Sequence, residues 1–272
     1  MVFRLVADNK GCVMQTIIEW RIENAIAWVI IKNPAKRNAL DLNAWSELAK
    51  VMAELNENDD LRCVIVRGHG TQAFAAGADI AEFPNVRANA KQAEHYGMVV
   101  KHTLDQIIHH KHPTIAMIYG ACTGGGLEIA CCCDLRISAR SGRFGVPINR
   151  IGHAFAYPEM APVLDVVGRA LLLELLLEGC ILNADEAYAR GLINKIVDDA
   201  ELEKQTLKTA HRIASGAPLA ARANKRFINR LKSGKPLTDV EIADGYALCD
   251  SQDYQEGVQA FIEKRKPQFD GK

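Results

Sequence analysis

Glu128 sits in an otherwise apolar segment that directly follows three glycines, with Leu127 before it and Ile129, Ala130 and Cys131 after it. A carboxylate there is either on a solvent-facing stripe or held in a pocket, where loss of hydration would raise its pKa toward the range of a general acid or base. Its glycines belong to the second of two glycine-rich turns about forty-five residues apart, Phe74-Ala-Ala-Gly-Ala-Asp-Ile80 and Gly120-Ala-Cys-Thr-Gly-Gly-Gly-Leu-Glu128. Each turn follows a strand-like run, and each lets another molecule approach the backbone closely. Brought together, two such turns could aim two backbone N–H donors at one oxygen atom, which is the arrangement of an oxyanion hole. Phosphate cradling is disfavoured, because the second turn lacks the Gly-Lys-Ser/Thr ending of a P-loop and contains no Gly-x-Gly-x-x-Gly.

The elements that must position these turns alternate between strand and helix. Gln15 to Trp20 and Ala25 to Ile31 read as a hairpin around Glu23-Asn24, with Asn tolerating a positive φ. Asp41 is placed to cap a helix whose apolar positions Leu42, Trp45, Leu48, Ala49, Met52 and Leu55 repeat at three and four. Arg62 to Arg67 is a short strand, Ala88 to His110 a polar helix, and Thr114 to Tyr119 the next strand. Leu127 to Cys133 then forms a short helix, followed by strand character at Asp134 to Ser138, which indicates an α/β core. Helical signals dominate from Pro158, with Arg169 to Glu178 ending at Gly179 and Asn183 to Glu186 reading as an asparagine capping box. No strand signal returns after Val197, and four helices can be drawn beyond Asp198. The division expected is a core over 15–198 and a helical region over 199–272.

Composition narrows the function classes. Lys and Arg total 33, as do Asp and Glu, so no global field favours nucleic acid or an anionic membrane. The longest leucine-rich stretch, Ala170 to Leu177, is interrupted by Glu174 and is far short of the roughly 18 apolar residues of a membrane span. The N-terminal ten residues carry charge where a signal peptide needs an apolar stretch, so a soluble cytoplasmic protein is expected. Eight cysteines include the consecutive Cys131, Cys132 and Cys133, whose side chains point about 100° apart on a helix and cannot converge on one metal. They read as small buried apolar residues in a reducing compartment. His109, His110 and His112 lack a completing ligand set and read as a solvated helix end.

The chain resembles the enoyl-CoA hydratase/isomerase (crotonase) superfamily. The resemblance rests on Asn33-Pro34 leading to Asn38-Ala39-Leu40, on both glycine-rich turns, and on Glu256-Gly257 followed by Phe261-Ile-Glu-Lys-Arg-Lys-Pro267. It implies a spiral of ββα units followed by a C-terminal helical region that in relatives mediates trimer formation and caps the active site. It implies Glu128 as catalytic acid/base and the backbone N–H groups of Ala78 and Gly125 as the oxyanion hole for a thioester enolate. Lys36, Arg37, Ala76, Asp79 and Ile80 fall where relatives line the coenzyme A path, and Phe261 and Lys264 match C-terminal residues that approach its phosphates. No metal and no cofactor beyond the substrate's own coenzyme A is implied; the partners are an acyl-CoA thioester and further copies of the chain, as a homotrimer or a hexamer built as a dimer of trimers.

The family pattern breaks at one position. Hydratases carry a second glutamate at the fifth position of a Phe-Gly-x-Pro-Glu segment, and here that segment reads Phe144-Gly145-Val146-Pro147-Ile148. An isoleucine can neither orient water nor deliver a proton. The following stretch offers His153, Tyr157 and Glu159; Tyr157 is expected as a catalytic hydrogen-bond donor, and Glu159 as a residue favoured by the helix dipole. The leading expectation is a lyase of the enoyl-CoA hydratase type. The rivals are a decarboxylase, isomerase or thioester hydrolase of the same family, and a non-catalytic CoA-binding subunit.

Overall fold

The computed structural model describes residues 17–272. The expected strand start at Gln15, the core boundary at residue 15 and the charged N-terminal segment lie outside the described residues. Ten strands form two sheets. The chain opens with β1 (Ile17–Glu23) and β2 (Ile26–Lys32), an antiparallel hairpin whose two turn residues, Asn24 and Ala25, have φ of 51° and 62°. Positive φ at both central positions is what a two-residue turn needs to match the twist of its strands. The chain continues through β3 (Cys63–Gly68), β4 (Ala73–Ala75), β5 (Thr114–Ile118), β6 (Ala121–Thr123), β7 (Leu135–Ala139), β8 (Arg143–Gly145), β9 (Leu182–Asn183) and β10 (Lys195–Val197).

One sheet has the order β1-β2-β3-β5-β7-β10 and the other β4-β6-β8-β9. From β2 to β10 the first sheet is parallel, and β4, β6 and β8 are parallel in the second. Each of the pairs β3/β4, β5/β6 and β7/β8 therefore leaves the first sheet and enters the second within a few residues. That repeat is the expected ββα spiral. The short second-sheet strands have no sequence signature of their own, because two or three residues cannot display a period and β4 and β6 overlap the glycine-rich turns.

The described residues also form ten α-helices: α1 (Leu42–Glu57), α2 (Phe83–Val86), α3 (Ala90–Ile108), α4 (Gly125–Cys132), α5 (Tyr157–Leu177), α6 (Ala184–Ala189), α7 (Leu202–Ala214), α8 (Pro218–Leu231), α9 (Asp239–Asp244) and α10 (Gln252–Ile262). Asp41 caps α1 by accepting from Ala44 N at 2.8 Å, and the capping box at Asn183 and Glu186 is formed in both directions. Alternate residues of the first sheet supply opposite faces. Ala27, Val29, Val64, Val66, Ala116 and Ile118 meet α1, α3 and α4, while Trp28, Ile65, Ile115, Met117 and Ile137 meet Leu202 and Ala210 of α7. Burial on both faces is why these strands read as continuous apolar runs rather than alternating ones. The last strand ends at Val197, next to the expected division at 199, but α7 beyond it covers the outer face of the sheet. Cys131, Cys132 and Cys133 are buried in the main core, with burial pushing the Cys131 thiol up to about 12.

The histidines correct an expectation. His110 and His112 are fully buried, not solvated, because the loop after α3 is folded under α8. His112 Nε2 faces Asn58 O at 2.9 Å and His112 N donates to His110 Nδ1 at 3.2 Å. Lys225 of α8 donates to His112 O at 3.2 Å and pairs with Asp134 at 2.8 Å. Burial first, then the nearby cations Lys225 and Arg222, hold His110 down to about 3 and His112 down to about 4. Both lie below the unfolded value of 6.5, so the unfolded chain takes up protons that the folded one refuses as pH drops from 6.5 towards 4. The stability they contribute is complete above pH 6.5 and falls by up to roughly 1.4 kcal/mol per pH unit for each histidine below it. The urea midpoint is expected to drop between pH 7 and pH 5, and His110→Asn to flatten that dependence; equal slopes in both proteins would refute the assignment.

Candidate functional site

The first turn is held by a loop folded onto it. Asn33 N donates to Asn38 Oδ1 at 3.1 Å, and Asn38 Nδ2 donates to His69 O at 3.0 Å and Ala73 O at 2.8 Å. These bonds fasten Pro34–Lys36 and the positive-φ residues Arg37 and Asn38 to the end of β3 and the start of β4. Ala76 N then donates to Arg37 O at 3.0 Å, Leu40 N to Gly77 O at 2.8 Å and Asp79 N to Leu40 O at 2.7 Å. The last two make one rung of a parallel bridge between Leu40 and Ala78. Such a rung consumes the carbonyl before the bridged residue and the N–H after it, leaving its own N–H on the other side. Ala78 N–H accordingly has no partner among the described residues.

The second turn is pressed against the first. Gly124, with φ 51° and ψ −126°, ends β6 and caps α4 in a conformation closed to residues with a Cβ. A Cβ on Gly125 would lie 2.6 Å from Cζ2 of Trp45, which occupies the space a side chain would need, and 3.6 Å from Cα of Gly77, in van der Waals contact with the first turn. Gly124 N donates to Gly145 O at 2.9 Å, which anchors the turn to β8. Gly125 is the first residue of α4, where a backbone N–H has no partner within the helix.

Glu128 lies in the first turn of α4 and only 5% of it is exposed. Burial, and then the nearby Glu159 carboxyl, push its pKa well above the ordinary carboxylate range, with Arg87 opposing them. Glu159 is equally buried, at 5% exposure, and lies on the first turn of α5, three residues after Ala156. Burial raises its pKa as well, while Arg87 and a hydrogen bond from the Ala156 backbone favour its charged form. Its Oε1 is buried without a hydrogen-bond partner. Arg87 follows α2, with its guanidinium 4.9 Å from the ring centre of Phe83 and 5.0 Å from that of Tyr96. It meets His153 Nε2 at 2.7 Å. A guanidinium can only donate, so Nε2 accepts and the imidazole is neutral, in keeping with a pKa lowered by burial and by Arg87 itself. Ala78, Gly125, Glu128, Glu159, Arg87, His153 and Ile148 line one cavity of about 130 Å³.

Of the residues expected from sequence, Ala76, Ala78, Ile80, Gly125 and Glu128 line this cavity. Lys36 and Asp79 are engaged with each other at 2.5 Å, and Asp79 also accepts from Ala81 N at 3.2 Å. Arg37 contributes its carbonyl to the turn. Tyr157 requires correction: it is 88% exposed and does not line the cavity. Residues two apart on a helix point about 200° from each other, so the rotation that buries Glu159 turns Tyr157 outward. Glu159, read as a residue favoured by the helix dipole, does lie in the first turn and is the one of the two that is buried. Phe261, 85% exposed, borders a separate apolar groove with Tyr254, Val258, Ile262 and Phe269, and Lys264 follows α10 at positive φ. Arg87 was not expected, and nothing around it in the sequence distinguishes it from a surface cation. Among the described residues no group of three His, Cys, Asp or Glu side chains could hold a metal ion.

Comparison with known proteins agrees with this architecture. The sequence model for enoyl-CoA hydratase/isomerase matches residues 21–272. Crotonyl-CoA hydratase of Syntrophomonas wolfei is 34% identical over 91% of this chain and 95% of its own length. Short-chain-enoyl-CoA hydratase of Clostridium acetobutylicum is 32% identical over 90% of this chain and 94% of its own. Among solved structures, an enoyl-CoA hydratase/carnithine racemase from Magnetospirillum magneticum superposes with a TM-score of 0.92 at 48% identity, covering 94% of this chain and 96% of that one. The chain belongs to the enoyl-CoA hydratase/isomerase family and is an enzyme of that class.

The contact between the turns is testable by stability. A Cβ on Gly126 would stand 2.1 Å from the Ala75 carbonyl oxygen, whereas one on Gly97 within α3 would meet only Glu159 Oε1, at 3.7 Å. Gly126→Ala is expected to cost about 1–3 kcal/mol or more through overpacking. Gly97→Ala is expected to be neutral or to stabilise by up to ~1 kcal/mol through helix propensity. Thermal melts of the two variants check both signs.

Proposed function

We propose that the protein hydrates a short 2-enoyl-CoA thioester, with Glu128 and Glu159 as its acid/base pair. The observation that carries this reading is the presence of two buried carboxyls in one cavity with the unused amides of Ala78 and Gly125. The thioester oxygen accepts from those two N–H groups, which stabilise it as negative charge develops on the enolate. Glu159, with its unpartnered Oε1, takes a proton from water as the water oxygen bonds to the β-carbon. Glu128, kept protonated by burial and by the neighbouring carboxyl, delivers its proton to the α-carbon. Transfer of a proton from Glu159 to Glu128 restores the starting state, and the net change is addition of one water.

Ile148 lines the same cavity at the place where hydratases carry their second glutamate, and in this reading α5 supplies the missing carboxyl. The same isoleucine favours a second reading, in which Glu128 alone moves a proton between carbons and isomerises the double bond. The coenzyme A path is assigned to Lys36, Arg37, Ala76, Asp79 and Ile80, with Phe261 and Lys264 approaching its phosphates. The names of the crotonyl-CoA and short-chain-enoyl-CoA hydratases that this chain resembles support the hydratase reading.

Incubation of the enzyme with crotonyl-CoA and a 3-enoyl-CoA, with products read by mass spectrometry, separates gain of water from isomerisation. Glu128→Gln and Glu159→Gln are each expected to lower kcat for hydration by ~10²–10⁴-fold. Full hydratase activity in a folded Glu159→Gln enzyme would eliminate the two-carboxyl mechanism. Activity is also expected to fall as pH rises through the elevated pKa of Glu128, because the acid form is the one that donates.

Assembly into a trimer, or a dimer of trimers, is part of the proposal. Val240, Phe261 and Ile262 on the C-terminal helices and Tyr246 in the turn between them are exposed, and subunit contacts are one way to cover such surface. Sedimentation equilibrium should give at least three times the 29.9 kDa chain mass, and a stable monomer at micromolar concentration would refute the assembly.

A further inference from the structure

We propose that Arg87 receives a carboxylate carried by the acyl group, so that the substrate is the coenzyme A monothioester of a short dicarboxylic acid. The inference rests on the acyl-CoA reading above and adds the chemical class of the acyl chain.

Arg87 feels the field of Glu128 and Glu159 but is held in direct contact with no anion among the described residues. It lines the cavity with Glu128 and Glu159, yet it forms no ion pair with any carboxylate of the described residues. Of the five N–H donors of a guanidinium, the structure engages NH2, which donates to His153 Nε2 at 2.7 Å. The flanks of the group are the rings of Phe83 and Tyr96, which fix its orientation and shield those faces from water. A purely hydrocarbon acyl chain would cover these donors and leave them unsatisfied, which is costly for a charged group. A carboxylate matches the planar fork through two parallel hydrogen bonds and neutralises it.

The dimensions limit the acid. A cavity of about 130 Å³ is comparable with one of about 150 Å³ that holds a benzene molecule, which limits the acyl group, its thioester carbonyl included, to on the order of six to eight heavy atoms. An acyl group of about four or five carbons ending in a carboxylate fits that space.

Two pairs of thioesters test the inference. Binding is measured by calorimetry with butyryl-CoA and glutaryl-CoA, and turnover with crotonyl-CoA and glutaconyl-CoA. The wild type is expected to bind glutaryl-CoA at least tenfold more tightly than butyryl-CoA and to show the same preference in kcat/KM for the unsaturated pair. Arg87→Met should abolish the preference, and Arg87→Lys, which keeps the charge without the fork, should retain part of it. Equal or inverted preference in the wild type overturns the proposal, and so does a parallel loss on both members of each pair in a folded Arg87→Met enzyme. Should Arg87→Met fail to fold, the wild-type ratio decides alone. Failure of both saturated thioesters to bind would instead overturn the acyl-CoA reading and this inference with it.

Discussion

Two backbone turns can touch only where neither carries a side chain, and the site is organised around one such contact. A Cβ on Gly77 would come within 3.1 Å of Gly125 N, and one on Gly125 would meet the Trp45 ring. The first turn reaches this place because β4 continues from β3, and the second because β6 continues from β5. Passage of successive strands from one sheet to the other therefore fixes the separation of Ala78 and Gly125. The loop pinned by Asn38 adds its single rung and leaves the amide of Ala78 uncommitted. Core packing on both faces of the first sheet supplies the rigidity that this alignment needs.

The same interior that excludes side chains from the turns withholds water from Glu128 and Glu159. Two carboxyls sharing a poorly solvated space resist ionising together, so their titrations belong to the pair. Arg87 tempers that resistance without forming an ion pair with either acid. The balance is a proton held where it can be transferred.

Much of this was legible from residue types. The spacing of the glycines, the apolar setting of Glu128, the cap at Asp41 and the capping box at Asn183 each have a local physical cause, and each appears in the structure. What was illegible depends on rotation and on distant contact. Tyr157 and Glu159 differ by two positions on one helix, and only the packing of α5 decides which of them faces inward. His110 and His112 look solvated until α8, more than a hundred residues later, lies across them. Arg87 acquires its meaning from Phe83, Tyr96 and His153, none of which marks it in the sequence.

The two acids reach the cavity by different routes. Glu128 rides on α4 immediately behind the glycine turn, and its place is inseparable from that of the amides. Glu159 arrives on α5, which enters from a loop and is interrupted at Gly168, where φ is 71° and ψ is 173°. The front of α5 is thus a short rod, joined at each end to backbone that is not helical, and no sheet register constrains it. Substitutions in that rod can replace or re-aim one acid without disturbing the amides. The scaffold in this way separates the apparatus that grips a carbonyl oxygen from the one that selects the bond to be made, and the second can diverge while the first stays as it is.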